Sequence, residues 1–224
     1  MTIALVTGAN RGLGAAIVTA LLERGAQKVY AAARIPARYD DPRVVGIALD
    51  ITRADQVRAA AEQASDVTVL INNAGVLHSG SVLDELDGAR AEMETNYFGT
   101  LAMSRAFAPV LARNGGGAIV NVASVLSWLT MPRVAGYAAS KAALWSLTNA
   151  LRMELAAQGT QVVSAHAGFI DTDMAAGVDA PKISAAEVAT QILDAVESGA
   201  DDVLADPLTR KVGASIGVRS GAVA

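Results

Sequence analysis

The sequence predicts an α/β fold: a doubly wound parallel sheet of about seven strands with helices on both faces, as one domain over residues 1–224. Three observations carry this. Short apolar runs rich in β-branched residues alternate with longer stretches of helical period. The 224 residues are 52% apolar and 18% charged, enough for one large core and too apolar for disorder. The glycines and special polar residues fall just after the apolar runs, and ligands of open parallel sheets bind beyond the carboxyl ends of strands.

Taken in order, strands are predicted at 3–7, 28–33, 44–50, 67–73, 118–124, 161–167 and 202–205. Each is short and apolar on both faces, the mark of a strand covered on two sides. Helices are predicted at about 12–24, 53–64, 85–113, 137–157 and 184–198. Right-handed crossovers then leave few topologies. No repeat and no long linker divides the chain, and "RNGGGA" (113–118) reads as a helix-to-strand turn. About 15 residues separate Gly168 from the helix near Ser184, so a short substrate loop is expected at about 169–184, with a pocket open at the top. Small residues and weak periodicity predict a poorly ordered tail over about 211–224.

Composition removes several function classes. The net charge is −4, which argues against nucleic-acid and membrane-surface partners. There is no cysteine, so disulfides, zinc-thiolate sites and cysteine nucleophiles are excluded. Only His78 and His166 could supply imidazole, far apart in sequence, and no metal site is expected; His78 reads as a surface-loop residue near the pocket mouth and His166 as a packed one. The first apolar run lacks a basic flank and soon meets a glycine loop, so no signal peptide is expected. No apolar run reaches the roughly 18 residues of a membrane span. A cytoplasmic location is expected.

The loop "TGANRGLG" (7–14) turns the first strand at once into a helix. Gly8 permits the turn, Gly12 lets backbone approach a ligand, and Gly14 allows helix to pack on strand. Free N–H groups and the positive dipole end suit a pyrophosphate. Gly8, Asn10, Arg11, Gly12, Leu13 and Gly14 are therefore candidate cofactor residues. A cation in the first helical turn is unfavourable there unless a phosphate lies near. At the end of the second strand, where an acidic residue would hold the ribose 2′-hydroxyl of NAD, the sequence has Arg34. Arg11 and Arg34 together point to a 2′-phosphate, and hence to NADP(H).

"SVLSWLTMPRVAGYAASK" (124–141) carries the chemistry. Tyr137 and Lys141 are four apart, on one face of a helix. The ammonium is expected to lower the phenol's pKa so that it can exchange a proton with a carbonyl or carbinol oxygen. Ser124, thirteen residues earlier at a strand end, could bond the same oxygen. No G-x-S-x-G elbow surrounds Ser124, which disfavours a serine nucleophile.

With these motifs the sequence resembles the short-chain dehydrogenase/reductase superfamily over nearly its whole length, in the manner of NADP-preferring carbonyl reductases with a Rossmann-type fold. T-G-x-x-x-G-x-G appears at Thr7 to Gly14, N-N-A-G at Asn72 to Gly75, and the catalytic pair at Tyr137 and Lys141 with Ser124. Asn96, in "NYFG", matches the family's catalytic asparagine. The resemblance implies that Asp50 and Ile51 flank the adenine and that Ala74 and Gly75 line its ribose, with Asn73 also a cofactor residue. It implies that Asn72 stabilises the central strand, Lys141 also holds the nicotinamide ribose, and Asn96 positions a water near Lys141. Ile170 and Thr172 would contact the nicotinamide carboxamide, and Gly168 is a further cofactor residue. The family's Pro-Gly after strand six is Ala167–Gly168 here, a less rigid turn.

Leu126, Trp128, Met131, Phe169 and Met174 are candidate substrate walls, suited to small hydrophobic or aromatic ketones and aldehydes. Apolar stripes on the two long helices, including Leu101, Phe107, Leu144 and Leu151, leave room for a homodimer or homotetramer. Two readings of different class stand: an NADP(H)-dependent carbonyl reductase or alcohol dehydrogenase, and a non-catalytic NADP-binding sensor or regulatory protein. The intact set Asn96, Ser124, Tyr137 and Lys141 favours the first. Nothing in the residues specifically supports epimerisation or dehydration.

Overall fold

The computed structural model describes residues 2–81, 83 and 86–217. Its strands are β1 (Ile3–Thr7), β2 (Lys28–Ala33), β3 (Val44–Ala48), β4 (Val69–Asn72), β5 (Ala118–Val122), β6 (Gln161–His166), β7 (Ile170–Asp171), β8 (Ile183–Ser184) and β9 (Asp202–Leu204). Its α-helices are α1 (Gly12–Glu23), α2 (Ala54–Gln63), α3 (Asp87–Met93), α4 (Thr100–Arg113), α5 (Ala135–Leu155), α6 (Ala185–Ser198) and α7 (Pro207–Ser215). Seven strands form one parallel sheet in the order β3-β2-β1-β4-β5-β6-β9. The chain runs one way from β1 to β3 and the other way from β4 onward. The switch point therefore lies beyond the carboxyl ends of β1 and β4.

Alternation along the strands builds two cores. Ala4 and Val6 of β1, Val69 and Ile71 of β4, and Ala118 and Val120 of β5 face α1 and α6, joining Ile17, Val18, Val188 and Ile192. Leu5, Leu70 and Ile119 face the other way, onto Met103, Phe107 and Leu111 of α4 and Leu151 and Leu155 of α5. Phe107, Leu144 and Leu151 of the expected stripes are thus core residues; deleting a ring such as Phe107's costs about 3–5 kcal/mol.

Four details differ from the sequence-based expectations. The helix expected over 85–113 is α3 and α4 joined by a π-helical turn, Glu94–Gly99, and Asn96 sits in that turn. Gly99 there lies so close to Ile51 that a Cβ would be 2.7 Å from its Cγ1. Second, the loop at 169–184 is not plain coil: β7 and β8 pair in parallel at its two ends, around a 3₁₀ turn at Asp173–Ala175. Third, the expected tail contains the end of α7. Asp206 caps that helix and Pro207 starts it, with Gly213 fitted against Leu204 and Trp128. Residues 218–224 of that tail lie outside the described residues. Fourth, β3, β4 and β5 end one or two residues early, so Asp50 and Ser124 stand just beyond their strands rather than within them. No helix among the described residues is long and apolar enough to cross a membrane.

Candidate active site

The glycine loop is pinned where β1 and β4 end. Thr7 Oγ1 accepts from the backbone N–H groups of Asn73 and Ala74, each at 3.0 Å. Asn73 Nδ2 donates to the carbonyls of Thr7 (2.9 Å) and Gly8 (3.3 Å). Gly8 has φ +66°, and a Cβ at Gly14 would run into the Gly8 carbonyl, so neither position accepts a side chain. Asn73 thus holds the loop through its amide, and Thr7 is a residue of this site that sequence reading passed over. Arg11 has extended backbone at the N-cap of α1, one step before the first helical turn where the sequence placed it, and no side chain caps the helix N–H groups. Its guanidinium reaches Asp173 at 2.9 Å, with the two side chains 72% and 78% exposed. The loop at 169–184 also leans on the glycine loop: a Cβ at Gly12 would sit 3.2 Å from Thr172 Cγ2.

Arg34 is exposed at the end of β2 and has no ion pair among the described residues. Asp50 turns its carboxylate onto its own loop, where Oδ1 accepts from Thr52 N (3.0 Å) and Oγ1 (2.7 Å). Burial pushes that carboxyl up, but the Thr52 hydrogen bonds and the charges of Arg34 and Arg53 outweigh burial and hold it below its ordinary value.

Tyr137 and Lys141 share one face of α5, with Nζ 5.6 Å from the phenol ring centroid. Lys141 Nζ donates to the Val122 carbonyl at 2.7 Å. Ser124 caps the 3₁₀ turn Val125–Ser127, its Oγ accepting from Leu126 N at 3.1 Å and donating to the Ala167 carbonyl at 3.5 Å, and the same hydroxyl stands near enough to the Tyr137 phenol to favour the phenolate. Burial dominates both ionisable groups. It pushes the phenol up to about 12, against the pull of Ser124 and with a further push from the Glu92 charge. It pushes the ammonium down to about 8. The sequence-based expectation of a lowered phenol is therefore corrected. Lys141 spends its hydrogen bond on Val122, and desolvation of a buried phenolate outweighs the attraction of a cation set off the ring.

Asn96 is fully buried. Its Oδ1 accepts from Val76 N (2.9 Å), and its Nδ2 donates to Val76 O (3.0 Å) and Ser140 Oγ (2.9 Å). Ser140 in turn donates to the Tyr137 carbonyl at 2.7 Å. Asn96 therefore meets α5 through Ser140. It and Lys141 Nζ converge on Gly75, where a Cβ would lie 3.1 Å from Asn96 Oδ1 and 3.7 Å from Nζ. Asn72, also buried, donates to Asn121 Oδ1 at 2.9 Å and ties β4 to β5.

His166 is fully buried behind Ser124. Its Nε2 pairs with Ser164 Oγ at 2.7 Å and its Nδ1 with the Ser124 carbonyl at 3.0 Å. Because His166 meets Ser124 through the carbonyl and not Oγ, the two form no nucleophile–base dyad. Burial pushes this imidazole down to about 4. Trp128 stacks on it at 4.0 Å between centroids and meets Trp145 edge-on at 6.0 Å. Trp128 is thus no pocket wall, contrary to expectation: the 3₁₀ turn carries it behind Ser124. His78 is exposed on its loop.

One cavity of about 1230 Å³ joins these parts. The glycine loop, Arg34, Asp50 and Ile51 line one end, and Asn73, Ala74 and Gly75 the middle. At the other end stand Ser124, Tyr137 and Lys141, with Gly168, Ile170 and Thr172 and the walls Leu126, Met131, Phe169 and Met174. Asn96 and Trp128 alone among the expected site residues lie off it. Leu77, Pro132, Val134, Val178 and Leu208 also line it and carried no motif. Asp206 was passed over too. Its Oδ2 accepts from Gly168 N at 2.6 Å, stiffening the turn that lacks the family's proline. The Asp206–Pro207 pair, a helix-start signal, was the clue.

A family model described as short chain dehydrogenase matches residues 2–182. A short chain dehydrogenase from Burkholderia cenocepacia J2315, solved in complex with NADP, is 46% identical; the match covers 96% of this chain and 92% of that one, with a TM-score of 0.93. The 3-oxoacyl-[acyl-carrier-protein] reductase of Vibrio cholerae is 33% identical over 182 residues, 77% of this chain and 75% of the relative. An NADPH-dependent 1-acyldihydroxyacetone phosphate reductase of Schizosaccharomyces pombe is 36% identical over 178 residues, 75% of this chain and 60% of the relative.

Proposed function

The chain belongs to the short chain dehydrogenase family, and on that premise we propose that it interconverts ketones or aldehydes and alcohols with NADP(H), Tyr137 serving as acid and base. One observation carries the reading: Ser124 and Tyr137, with Lys141 one turn on, line a single cavity with the glycine loop and Arg34. A dinucleotide fits that cavity. Gly8 and Gly14 let the loop fold tightly against itself and against Asn73 and Ala74, with its backbone lining the cavity, and the uncapped start of α1 offers N–H groups to a pyrophosphate. Arg34 stands free where a 2′-phosphate would lie, and no carboxylate takes its place. The exposed Arg11–Asp173 pair is weak enough to be exchanged for a phosphate. The NADP-bound relative supports the same cofactor.

Bound NADPH supplies the hydride. The protein supplies the proton and the place. Ser124 and Tyr137 present two hydroxyls to the oxygen of a carbonyl. A phenol held protonated by burial is ready to donate as negative charge develops on that oxygen. Lys141, half-titrated near 8, gives the resulting phenolate a cation at hand. Asn96 holds the Val76 backbone and, through Ser140, the carbonyl of Tyr137, so it fixes the phenol's helix. The walls Leu77, Leu126, Met131 and Phe169 carry no charge, which suits a small uncharged hydrophobic or aromatic carbonyl compound. A homodimer or homotetramer in the cytoplasm completes the proposal.

The test is a panel of ketones, aldehydes and alcohols with both cofactors, followed by the absorbance of the reduced nicotinamide. NADPH-dependent reduction of uncharged ketones is expected. Activity confined to charged sugars or acyl-carrier thioesters would remove the substrate class; wild-type turnover by Tyr137→Phe would remove the mechanism. Binding of NADPH without turnover of any carbonyl compound would favour the sensor.

A further inference from the structure

A buried carboxylate lies beside this site and has no part in the mechanism above. Glu92 of α3 is 1% exposed. Its Oε1 accepts from the backbone N–H of His78 at 2.7 Å. Its Oε2 lies against Gly136, the residue before Tyr137, where a Cβ would run into it. Four residues on, one helical turn, Asn96 bonds the Val76 backbone and Ser140. The two side chains form a ladder: Glu92 meets 78 and 136, Asn96 meets 76 and 140. The N–H groups of residues 76 and 78 turn to the same helical stretch, and 136 and 140 share one face of α5. The same wall is tied again where Gly80 N donates to the Arg133 carbonyl at 2.9 Å. Arg133, just before α5, has φ +68°, a left-handed conformation that a non-glycine residue keeps only when its surroundings enforce it.

We propose that Glu92 is a positioning residue for Tyr137, the second of two buried pins that hold the pocket wall 76–80 and the start of α5 in register. This rests on the catalytic reading of Tyr137. Removing the pin leaves the His78 N–H without its buried acceptor and lets Leu77, a cavity wall, and Gly136 shift. The carboxylate also acts at a distance: its charge adds to the burial that keeps the phenol protonated. Other charged and titratable groups near the site are Lys141 on the same helix, His166 on β6 behind Ser124, and Glu94 and Asp173, which line the same cavity. All are unchanged in the variants below, so a difference in pH profile reports Glu92.

The experiment compares wild type, Glu92→Leu and Glu92→Gln in alcohol oxidation, as kcat/KM against pH, with NADPH binding read by nicotinamide fluorescence. Glu92→Leu is expected to lose about 10- to 100-fold in kcat/KM, the scale of one buried donor left unpaired, with the NADPH dissociation constant changed less than about twofold. Glu92→Gln keeps an acceptor for His78 N and is expected to recover most of that loss. Oxidation needs the phenolate, so its rate rises through the phenol's pKa. Without the Glu92 charge that pKa falls, and the rise should move to lower pH. A purely structural glutamate would not move the profile. Wild-type kcat/KM in a folded Glu92→Leu, with Tyr137→Phe inactive, overturns this inference and leaves the function standing; should Glu92→Leu fail to fold, Gly136→Ala, whose Cβ displaces Glu92 Oε2, takes its place, and wild-type kcat/KM there overturns the inference. A wild-type chain that binds NADPH and turns over nothing in the panel overturns the function, and this inference with it.

Discussion

The floor of the cavity and its rim are built on opposite principles. On the floor Ser124, Tyr137 and Lys141 are buried, with Asn96 and His166 buried behind them, and each is held by a hydrogen bond from another element or its own turn. At the rim Met131, Met174 and Leu208 are 44%, 53% and 46% exposed, and the Arg11–Asp173 pair stands in solvent. Buried polar groups carry a large cost when a partner is lost, so the floor tolerates one geometry. Exposed methionines are pliable and make no such demand. The floor therefore sets the reaction, and the rim sets what the reaction is offered.

The largest break lies at the floor. Tyr137→Phe removes one oxygen and leaves the packing, yet kcat for ketone reduction should fall about 10²- to 10⁴-fold, the usual worth of a positioned acid. The next is thermodynamic. His166 is packed neutral with its pKa pushed down to about 4, whereas the unfolded chain takes up its proton near 6.5. Between those values the unfolded state binds more protons, so stability falls as pH drops from 6.5 to 4, by about 1.4 kcal/mol per unit and about 3 kcal/mol in all. In denaturant melts, His166→Gln should lose that share of the acid slope. An equal slope in both proteins would mean the imidazole is not held neutral.

The cofactor end sharpens the comparison from another side. Arg34→Asp with Arg11→Ala should lower the NADPH-over-NADH ratio of kcat/KM about 10- to 100-fold, the scale of charge-assisted bonds to a phosphate lost and a repulsion gained. At the rim the effects shrink. Met174→Ala should change KM a few-fold and leave kcat with the smallest ketones nearly unchanged.

What was legible in the sequence follows the same division. The inner strands were readable because both their faces are buried, the edge strand β3 from its β-branched run although Gly46 and Ala48 are exposed, and the glycine loop because Gly8 and Gly14 answer backbone demands that only glycine meets. Tyr137 and Lys141 were readable because four residues make one helical turn. Their ionisation was not: spacing shows a cation near a phenol, while burial, a property of the folded chain, decides the sign. The π turn at Asn96 has no spacing signature, since its register comes from packing such as Gly99 on Ile51. Trp128 was misplaced because a 3₁₀ turn rotates it away from the cavity. Glu92 was invisible because a glutamate in a helical stretch reads as solvated. α7 was legible in Asp206–Pro207, but its small residues resemble a tail.

The smallest effect asks whether the rim is as loose as it looks. The Arg11–Asp173 pair joins the glycine loop to the loop at 169–184 in front of the uncapped end of α1. So exposed a pair is worth about 0–1 kcal/mol, and salt weakens it further. Asp173→Asn should leave the melting temperature almost unmoved. It also releases Arg11 from a carboxylate that competes with any phosphate for the same guanidinium. NADPH should then bind about two- to fivefold more tightly at low ionic strength, with NADH changing less. The gain should vanish near 1 M salt, where the screening length is about 3 Å. Weaker NADPH binding in Asp173→Asn would show instead that the pair holds the loop over the cofactor, and that this part of the rim belongs with the floor.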